Sequence, residues 1–544
     1  MRPSNTGLAR TALVVLLLSG ASTAALAQSG APQSGGAAPD PREARIEQLE
    51  NEVRQLASEV QDLKRGQAEQ IQTLANVQSK PLPAPSVVAS IANGKPSIAS
   101  ADGQFSVNLH TIMQFDAAQY EQASPGPLTS DFRRSGPALG ASATNVDAAH
   151  ARRLKSGDDF RRARIGVDGT VFGDWDYRFI LDFGATGTEN AGQVYETWVQ
   201  YSGLKPFKFR VGAFPPSIGL EDQGTTNAIP FIERTVSSDL ARGLAAGDTR
   251  TAAEIFANSD HWLASAAITG RVVGVINTGT ASAVPQTFGD QLAFVGRLAA
   301  TPLYGPDWLV HVGLHGSYVF RPSDAAGPTT AGPTAISSAA IALGNTPELR
   351  VDATKLINTG NIPAHDASTI GAEFAVQKQN LLLQAEYEHF GIDRSDGLSN
   401  PDFNGYYVEG LWVITGEARK YNIVTAAFDA PPVAHPFHLN GDGWGAIEFG
   451  LRYSDMNLNY QAGAAGTLQS GGAIRGGDEQ NLTAALNWYP NNVVRFMFDY
   501  AHVRIDRLNP AISTTAASTI WLAPPGAQIG QNYDVFEMRS QFAF

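Results

Sequence analysis

The chain has 544 residues, and its 39 basic and 52 acidic side chains give a formal net charge of −13 at pH 7. This acidic balance disfavours a nucleic-acid-binding surface, which needs a basic footprint. The chain has no cysteine, which excludes zinc–thiolate and iron–sulfur sites, and its ten histidines show no metal-ligand spacing.

The N-terminus has the features of a secretory signal peptide. Arg2 and Arg10 precede the apolar run TALVVLLLSG, and ALA at 25–27 supplies the small residues of a cleavage site. The apolar run is too short to span a bilayer, and no later stretch approaches about 18 consecutive apolar residues. We therefore expect residues 1–27 to be removed on export and the exported chain to contain no transmembrane helix.

A change of composition follows residues 28–43, which are small, polar and rich in proline, as in a flexible linker. Between 44 and 78 apolar residues recur at spacings that alternate between three and four: Ile46, Leu49, Val53, Leu56, Val60 and Leu63. This seam predicts a coiled coil, interrupted by a stutter at Gln67. A lone amphipathic helix that lies on lipid or on the rest of the protein is the alternative. Residues 79–100 contain SKPLPAPS and NGKPS and are predicted to form a second linker.

From 101 onward, short segments alternate between apolar and polar residues and are separated by Gly, Asn, Asp and Pro. A strand points successive side chains to opposite faces, so each segment has one apolar face and one largely polar face. The segments include DWDYRFILDF (174–183), AIEFGLRYS (446–454), NLTAALNWY (481–489), VRFMFDY (494–500) and VFEMRSQFAF (535–544).

The length and spacing of these segments indicate a membrane barrel. They run about nine to eleven residues, as a tilted strand needs to cross a bilayer. Tight turns such as YPNN alternate with long loops, for example 323–346 and 506–530. At roughly 28 residues per strand and connection, residues 101–544 predict about 16 strands. The predicted fold class is therefore an all-β transmembrane barrel of about 16 antiparallel strands, preceded by a short N-terminal coiled-coil helix. A terminal aromatic, here Phe544, is typical of outer-membrane barrels.

Several segments together resemble the phosphate-selective porins O and P. They are DDFRRARIGVDG (158–169), GAFPPSIGLEDQ (212–223), FIERT (231–235), TGEARKYN (415–422), WGAIEFGLRYS (444–454) and LNWYPNNVVRFMFDY (486–500). The resemblance covers nearly all of 101–544. It implies a sixteen-stranded trimeric porin in the outer membrane of a Gram-negative bacterium, with loops folded into the lumen. It also implies basic residues along an anion path, phosphate being the best-known substrate.

Arginine suits such a path, because its planar fork offers phosphate two parallel hydrogen bonds and stays charged. An arginine on the lipid face would cost about 2–4 kcal/mol near the midplane, so the polar faces should line the lumen. The predicted lumen residues are Arg162, Arg164, Arg178, Lys208, Arg210, Arg452 and Arg495. A constriction loop at 213–256 would add Arg234, Arg242 and Arg250. In the alternative interpretation, these arginines pair with lumen carboxylates and only stiffen the wall.

The predicted function is a water-filled channel for passive diffusion of small anions, phosphate and polyphosphate among them, without cofactor or metal. The alternative is a general or weakly cation-preferring porin whose coiled coil is a structural tether in the periplasm. Expected partners are outer-membrane lipid, further copies in a homotrimer and, through the coiled coil, the cell wall. An enzyme is not expected, since GxSxG is absent and no nucleophile signature adjoins His261, His311, His315, His389 or His502.

Overall fold

A computed structural model describes residues 41–78, 87–92, 94–122, 154–184, 193–247, 250–272, 291–323, 339–510 and 525–544. The predicted signal peptide and the first linker up to residue 40 lie outside these residues. The chain divides into two compact units, Met1–Ala84 and Pro85–Phe544. No helix in the described ranges combines the length and apolarity needed to cross a bilayer.

The helices and strands are numbered in chain order. They are α1 (Pro41–Gln78), β1 (Val87–Ala92), β2 (Lys95–Ser100), β3 (Ser106–Gln122), β4 (Gly157–Val171), β5 (Trp175–Asp182), β6 (Gln193–Tyr201), β7 (Phe207–Ala213), α2 (Leu220–Gln223), α3 (Val236–Ala245), β8 (Arg250–Asn258), β9 (Trp262–Val272), β10 (Leu292–Gly305), β11 (Trp308–Arg321), β12 (Ala340–Ile341), β13 (Gly344–Asn345), β14 (Ile357–Asn358), β15 (Ile362–Lys378), β16 (Leu381–Arg394), β17 (Asp402–Val413), β18 (Tyr421–Asn422), β19 (Ala427–Phe428), β20 (Ala446–Tyr460), β21 (Ile474–Tyr489), β22 (Val494–Asp506) and β23 (Asn532–Ala543).

The first unit contains α1, which begins three residues before the predicted start of the coiled coil. Proline suits its first position, where a backbone N–H would have no helical partner. The six seam residues are all exposed, from 49% for Val60 to 70% for Leu63. The apolar stripe is therefore uncovered in the single chain, and its pairing into a coiled coil stays a prediction.

The second unit is a closed antiparallel barrel. Sixteen of the described strands form its wall: β3–β11, β15–β17 and β20–β23. The wall closes where β23 pairs with β3, for example Val535 opposite Tyr120. The expectation of about 16 antiparallel strands is thus confirmed, although many strands are longer than predicted, up to the 17 residues of β3 and β15.

A β-hairpin occupies residues 87–100, where a linker was predicted. β1 pairs with β2 from Val87 opposite Ser100 to Ala92 opposite Lys95, and β2 continues onto the barrel strand β3. Gly94 adopts a φ of 81° in the connecting turn, which glycine tolerates without strain. The Pro and Ser content suggested a linker, but the β-branched residues between them were sufficient to form a hairpin.

The alternation of side chains places apolar residues outside and polar residues inside. Outward tryptophans lie at the ends of strands next to the short turns: Trp175, Trp262, Trp308 and Trp412. Outward Tyr304 lies with the tryptophans, and five outward tyrosines lie towards the long loops: Tyr318, Tyr387, Tyr406, Tyr453 and Tyr500. Two aromatic belts on either side of an apolar band mark the two membrane interfaces of a transmembrane barrel. We call the two ends of the barrel the short-turn end and the loop end.

One connection breaks the pattern of short turns. Residues 414–445 join β17 to β20 at the short-turn end, where the other turns span only a few residues. Part of this segment, which includes β18 and β19, folds into the lumen, because Arg419 contacts Ala228 of the loop between β7 and β8 (Nη1 to O, 2.9 Å). We call residues 418–429 the plug. The lumen is therefore narrowed from both ends.

Candidate functional site

The connection between β7 and β8, described over residues 214–247, crosses the lumen within the predicted constriction loop 213–256. Opposite strands hold its backbone: Ile232 N donates to Asp499 Oδ2 (2.9 Å), and Arg495 Nη1 donates to Ile229 O (2.8 Å). Near its start, Glu221 N donates to Glu386 Oε2 (2.9 Å). We call this segment the constriction loop. Its many bonds to the wall fix its position across the channel.

Helix α3 packs the second half of the constriction loop against the wall. Thr235 caps the helix, and its Oγ1 also donates to Glu221 Oε2 (2.7 Å). Val236, Leu240 and Leu244 are buried in the main apolar cluster. Helix α3 therefore fills the lumen on the side of β10, β11, β16, β17 and β20.

One carboxylate of the constriction loop, that of Glu233, faces four guanidinium groups of the described chain. Its oxygens lie 2.7 Å from Arg161 Nε, 2.8 Å from Arg539 Nη2, 3.7 Å from Arg162 Nη1 and 3.7 Å from Arg350 Nε. Burial alone would raise the pKa of Glu233, but Arg161, Arg162, Arg539 and Arg350 hold it well below its usual range. We call these five residues the Glu233 cluster.

The cluster depends on a β-bulge that strict alternation does not predict. Gln114 of β3 faces Arg162, but the next residue, Phe115, faces Phe160, so Arg161 is the extra residue of β4. A bulge of this kind re-aims a side chain. Both Arg161 and Arg162 consequently contact Glu233 inside the barrel.

A second group of cations lies on the inner wall nearer the short-turn end. Arg178 of β5 and Arg210 of β7 lie against the indole of Trp198, which β6 supplies, and Lys208 of β7 lies against the Phe256 ring. Arg178 Nη1 donates to Glu196 Oε2 (3.2 Å), and Arg210 lies 3.6 Å from Glu254 Oε2. We call Arg178, Trp198, Lys208 and Arg210 the wall patch. Its arginine side chains are 33% and 22% exposed, whereas those of Glu196 and Glu254 are 11% and 4% exposed.

Arg164 lies on the wall between these two groups. Its Nε donates to Asp182 Oδ2 (2.7 Å), and its guanidinium lies 3.4 Å from the centre of the Tyr195 ring. The ion pair and the ring contact hold the side chain in one orientation.

The plug is bonded to the wall and to the constriction loop. Arg297 Nη1 and Nη2 donate to the carbonyl oxygens of Thr425 (2.6 Å) and Ala426 (2.9 Å). Arg419 forms a two-bond pair with Glu448 (2.6 and 2.7 Å). The plug is thus a fixed part of the lumen.

The remaining predicted arginines lie under the constriction loop or within it. Arg452 is 2% exposed and pairs with Glu221 (3.1 Å) and Glu348 (2.5 Å), and Arg495 is equally buried. Arg234 lies 3.7 Å from Asp222 Oδ1 and Arg242 lies 2.6 Å from the same oxygen. Arg250 was predicted in the loop, but it is the first residue of β8 and donates to Gly243 O and Gly270 O.

Sequence reasoning missed several residues of the lumen. Arg161 was assigned to no face, and Arg350 comes from the long connection between β11 and β15, which carried no signal of entering the barrel. Arg297 and Arg419 anchor the plug. The segment TGEARKYN, which contributes to the family resemblance, was the one clue to Arg419.

One cluster of described residues has the composition of a metal site: His315, Glu373 and Glu386. His315 Nδ1 lies 2.8 Å from Glu373 Oε1, and Nε2 lies 2.6 Å from Glu388 Oε1. Since carboxylate oxygens accept, both ring nitrogens donate, and His315 keeps no lone pair for a metal. Arg297 also pairs with Glu373 (2.7 Å). We interpret the cluster as an ion-pair network that stiffens the wall.

The family model for "Phosphate-selective porin O and P" matches residues 137–544 of the chain. Porin O of Pseudomonas aeruginosa is 26% identical over 391 residues, which cover 70% of this chain and 83% of Porin O. Similar solved structures include the outer membrane channel DcaP of Acinetobacter baumannii (11% identity, 82% of this chain and 99% of that one, TM-score 0.41). Another is an anion-selective porin from Comamonas acidovorans (13% identity, 81% and 100%, TM-score 0.41). Because the family model matches most of its length, the chain belongs to the phosphate-selective porin O and P family of the outer membrane.

Proposed function

We propose that the barrel is a passive outer-membrane channel for small anions and that the anions follow the inner wall formed by β4 to β8. The observation that carries the proposal is the unequal exposure of the charges on this wall. The arginines of the wall patch are partly exposed to the lumen, whereas the carboxylates that pair with them are largely buried in the wall. A passing anion therefore meets guanidinium and ammonium groups first, and diffusion through the pore needs no catalytic step.

The proposed path runs between the two ends of the barrel along named cations. Arg350 and Arg161, 30% and 14% exposed, lie at the Glu233 cluster, and the wall patch lies nearer the short-turn end. Arg164 lies on the wall between them but is buried, so it does not face the path itself. Permeation requires binding that is favourable enough for entry yet weak enough for release. Partly neutralised arginines meet this requirement better than bare ones.

The other predicted arginines have a different part in the proposal. Arg162, Arg234, Arg250, Arg452 and Arg495 anchor the constriction loop or the strands beside it, and their burial keeps them from permeating ions. Arg242 pairs with Asp222 at the edge of the loop. We infer that this group sets the width of the pore rather than its charge.

The pairing of the wall-patch arginines with carboxylates favours the alternative function, a general or weakly cation-preferring pore. The wall patch has three cations, and this part of the wall also carries three carboxylates: Asp176, Glu196 and Glu254. The cations and carboxylates together are therefore formally neutral. If the buried carboxylates cancel the field in the lumen, no anion preference remains.

Reversal potentials across a planar bilayer under a steep potassium chloride gradient distinguish the two functions. We expect an anion-signed potential for the mature chain. Arg178→Gln should lower the chloride-to-potassium permeability ratio about two- to fivefold, since a unit charge near the path acts with about 1 kcal/mol in water. Arg504→Gln, on the exposed outer face, is the matched control and should change nothing. A cation-signed potential for the unmodified channel overturns the proposal.

The description of the family suggests phosphate as a substrate of this channel, and we propose polyphosphate beside it. Inhibition of chloride current by millimolar phosphate would support them. Chloride current that phosphate leaves untouched would indicate an anion pore without phosphate preference.

We further propose that the channel is a homotrimer and that α1 forms a coiled coil in the periplasm, where it braces the trimer or engages the cell wall. The uncovered apolar seam of α1 supports this proposal, because an isolated helix with so narrow a stripe buries too little to stay folded. The apolar seam of α1 offers the α1 helices of a second and a third copy a surface against which they can pack.

Deletion of residues 44–78 should leave single-channel conductance and ion selectivity unchanged, because no residue of the proposed path lies in α1. The thermal stability of the oligomer in detergent should fall if the helix braces a trimer. Complete loss of channel activity in correctly inserted barrels would show that the helix is part of the pore. Substitution of Val53 and Leu56 by aspartate tests the seam without shortening the chain.

A further inference from the structure

Aromatic rings lie against each cation of the wall patch and against Arg164, which is buried in the wall beside it. The Arg210 guanidinium lies 4.5 Å from the centre of Trp198, and Arg178 lies 5.4 Å from it. Lys208 lies 5.3 Å from the Phe256 ring, and Arg164 lies 3.4 Å from that of Tyr195. The wall is therefore a mixed surface of planar cations and rings rather than a bare row of charges.

The charge of the wall patch suits a singly charged anion, the singly charged form of phosphate included, better than a compact, doubly charged one. Such an ion loses strongly bound water on entering a site and needs excess positive charge in return. Here Glu196 and Glu254 neutralise Arg178 and Arg210 from behind. A singly charged anion with an apolar body has a smaller loss of hydration, and it gains contact with the ring.

Trp198 is held in place for such a contact. Its Nε1 donates to Glu196 Oε2 (3.2 Å), the oxygen that also accepts from Arg178 Nη1. The indole and the guanidinium are thereby fixed relative to each other. Arg178 donates to the described chain through Nη1, its Nε is buried, and Nη2 is left without a hydrogen bond to the described chain. A carboxylate can accept from Nη2 while its apolar body rests against the indole.

We propose that the wall patch binds aromatic monocarboxylates, benzoate being the simplest, in preference to small aliphatic ones such as acetate. This inference rests on the proposed function, since it assigns a substrate class to the same anion path. Arg178 supplies the charge and the hydrogen bonds, and Trp198 supplies the stacking surface. The rings at Phe256 and Tyr195 extend that surface along the wall.

The test compares the concentrations of benzoate and of acetate that halve the chloride current of the mature channel. Benzoate should act at the lower concentration. Trp198→Ala should raise the benzoate value about two- to tenfold, the range expected for an aromatic contact, and leave the acetate value unchanged. Trp198→Phe keeps a ring without the Nε1 bond and should retain most of the preference. Trp412→Ala, on the lipid face, is the matched control.

Each outcome has one meaning. Equal inhibition by benzoate and acetate in an anion-signed channel overturns this inference and leaves the proposed function standing. A cation-signed reversal potential overturns the proposed function itself. Loss of preference in both Trp198→Ala and Trp198→Phe would assign the effect to the orientation of Glu196 and Arg178 rather than to stacking, and would also contradict the inference.

Discussion

Replacement of Glu233 by glutamine is expected to raise the chloride-to-potassium permeability ratio about three- to tenfold. The Glu233 cluster places four guanidinium groups of the described chain around one carboxylate, and two of them also pair with Asp116 and Asp239. Four arginines and three carboxylates give one excess positive charge at the entrance to the proposed path. Removal of the Glu233 carboxylate raises that excess to two. A charge a few ångströms from the path changes ion energies by about 1 kcal/mol in water and by more where the pore is narrow.

The ionisation state of Glu233 supports this expectation. Burial would raise its pKa, but Arg161, Arg162, Arg539 and Arg350 hold the pKa well below the usual value. Glu233 therefore stays charged at neutral pH, and glutamine removes a real charge. A depressed pKa also means that its contribution to stability is present above the unfolded-state pKa and is lost only as the pH falls through the lowered folded-state pKa. Mild acidification should not reproduce the effect of the substitution.

Glu121→Gln is the matched control, because Glu121 is exposed on β3 and lies outside the cluster. It should leave selectivity unchanged. Glutamine keeps the size of Glu233 and one acceptor oxygen, so the constriction loop should stay in place, which unchanged single-channel conductance would verify. If the permeability ratio of Glu233→Gln equals that of the unmodified channel, permeating ions do not pass this cluster and the proposed path is wrong.

The barrel was largely predictable from the sequence because the pattern that specifies each strand lies within the strand itself. Side chains of a strand alternate between its two faces, and the face in contact with lipid must be apolar. The pattern of segment 174–183 therefore indicates which side chains face lipid and which face the lumen. Ile180 and Asp182 are buried on the inner side, and Phe179 and Phe183 are exposed on the outer side, as the pattern predicts. The same reasoning assigned Arg162 and Arg164 to the inner face, and both side chains are buried there.

The interior was less predictable because its contacts join distant parts of the chain. Arg161 turns inward only through a bulge against β3, and no local pattern marks a bulge. Arg452 has the same alternation as Arg178, yet the constriction loop covers Arg452 and leaves Arg178 partly exposed. Which cation meets water depends on which loop lies above it, and that is a property of the assembled lumen.

The plug shows the same dependence at the short-turn end. Nothing in the sequence indicated that this connection enters the barrel, where Arg297 on β10 binds it. Arg297 binds Glu373 with two hydrogen bonds (2.9 and 2.7 Å) and also donates to Thr425 O and Ala426 O of the plug. One guanidinium thus joins the wall network to the segment that narrows the pore.

Arg297→Met should lower the free energy of unfolding by about 3–5 kcal/mol, because it leaves the buried Glu373 without its main partner. It should also raise single-channel conductance, since the plug loses two of its bonds to the wall. Urea unfolding in detergent, followed by tryptophan fluorescence, measures the first effect, and planar-bilayer recording measures the second. Arg504→Met removes an exposed ion pair and should cost no more than about 1 kcal/mol. A destabilised variant with unchanged conductance would show that the plug does not limit flow, whereas unchanged stability would mean that His311 and His315 alone satisfy Glu373.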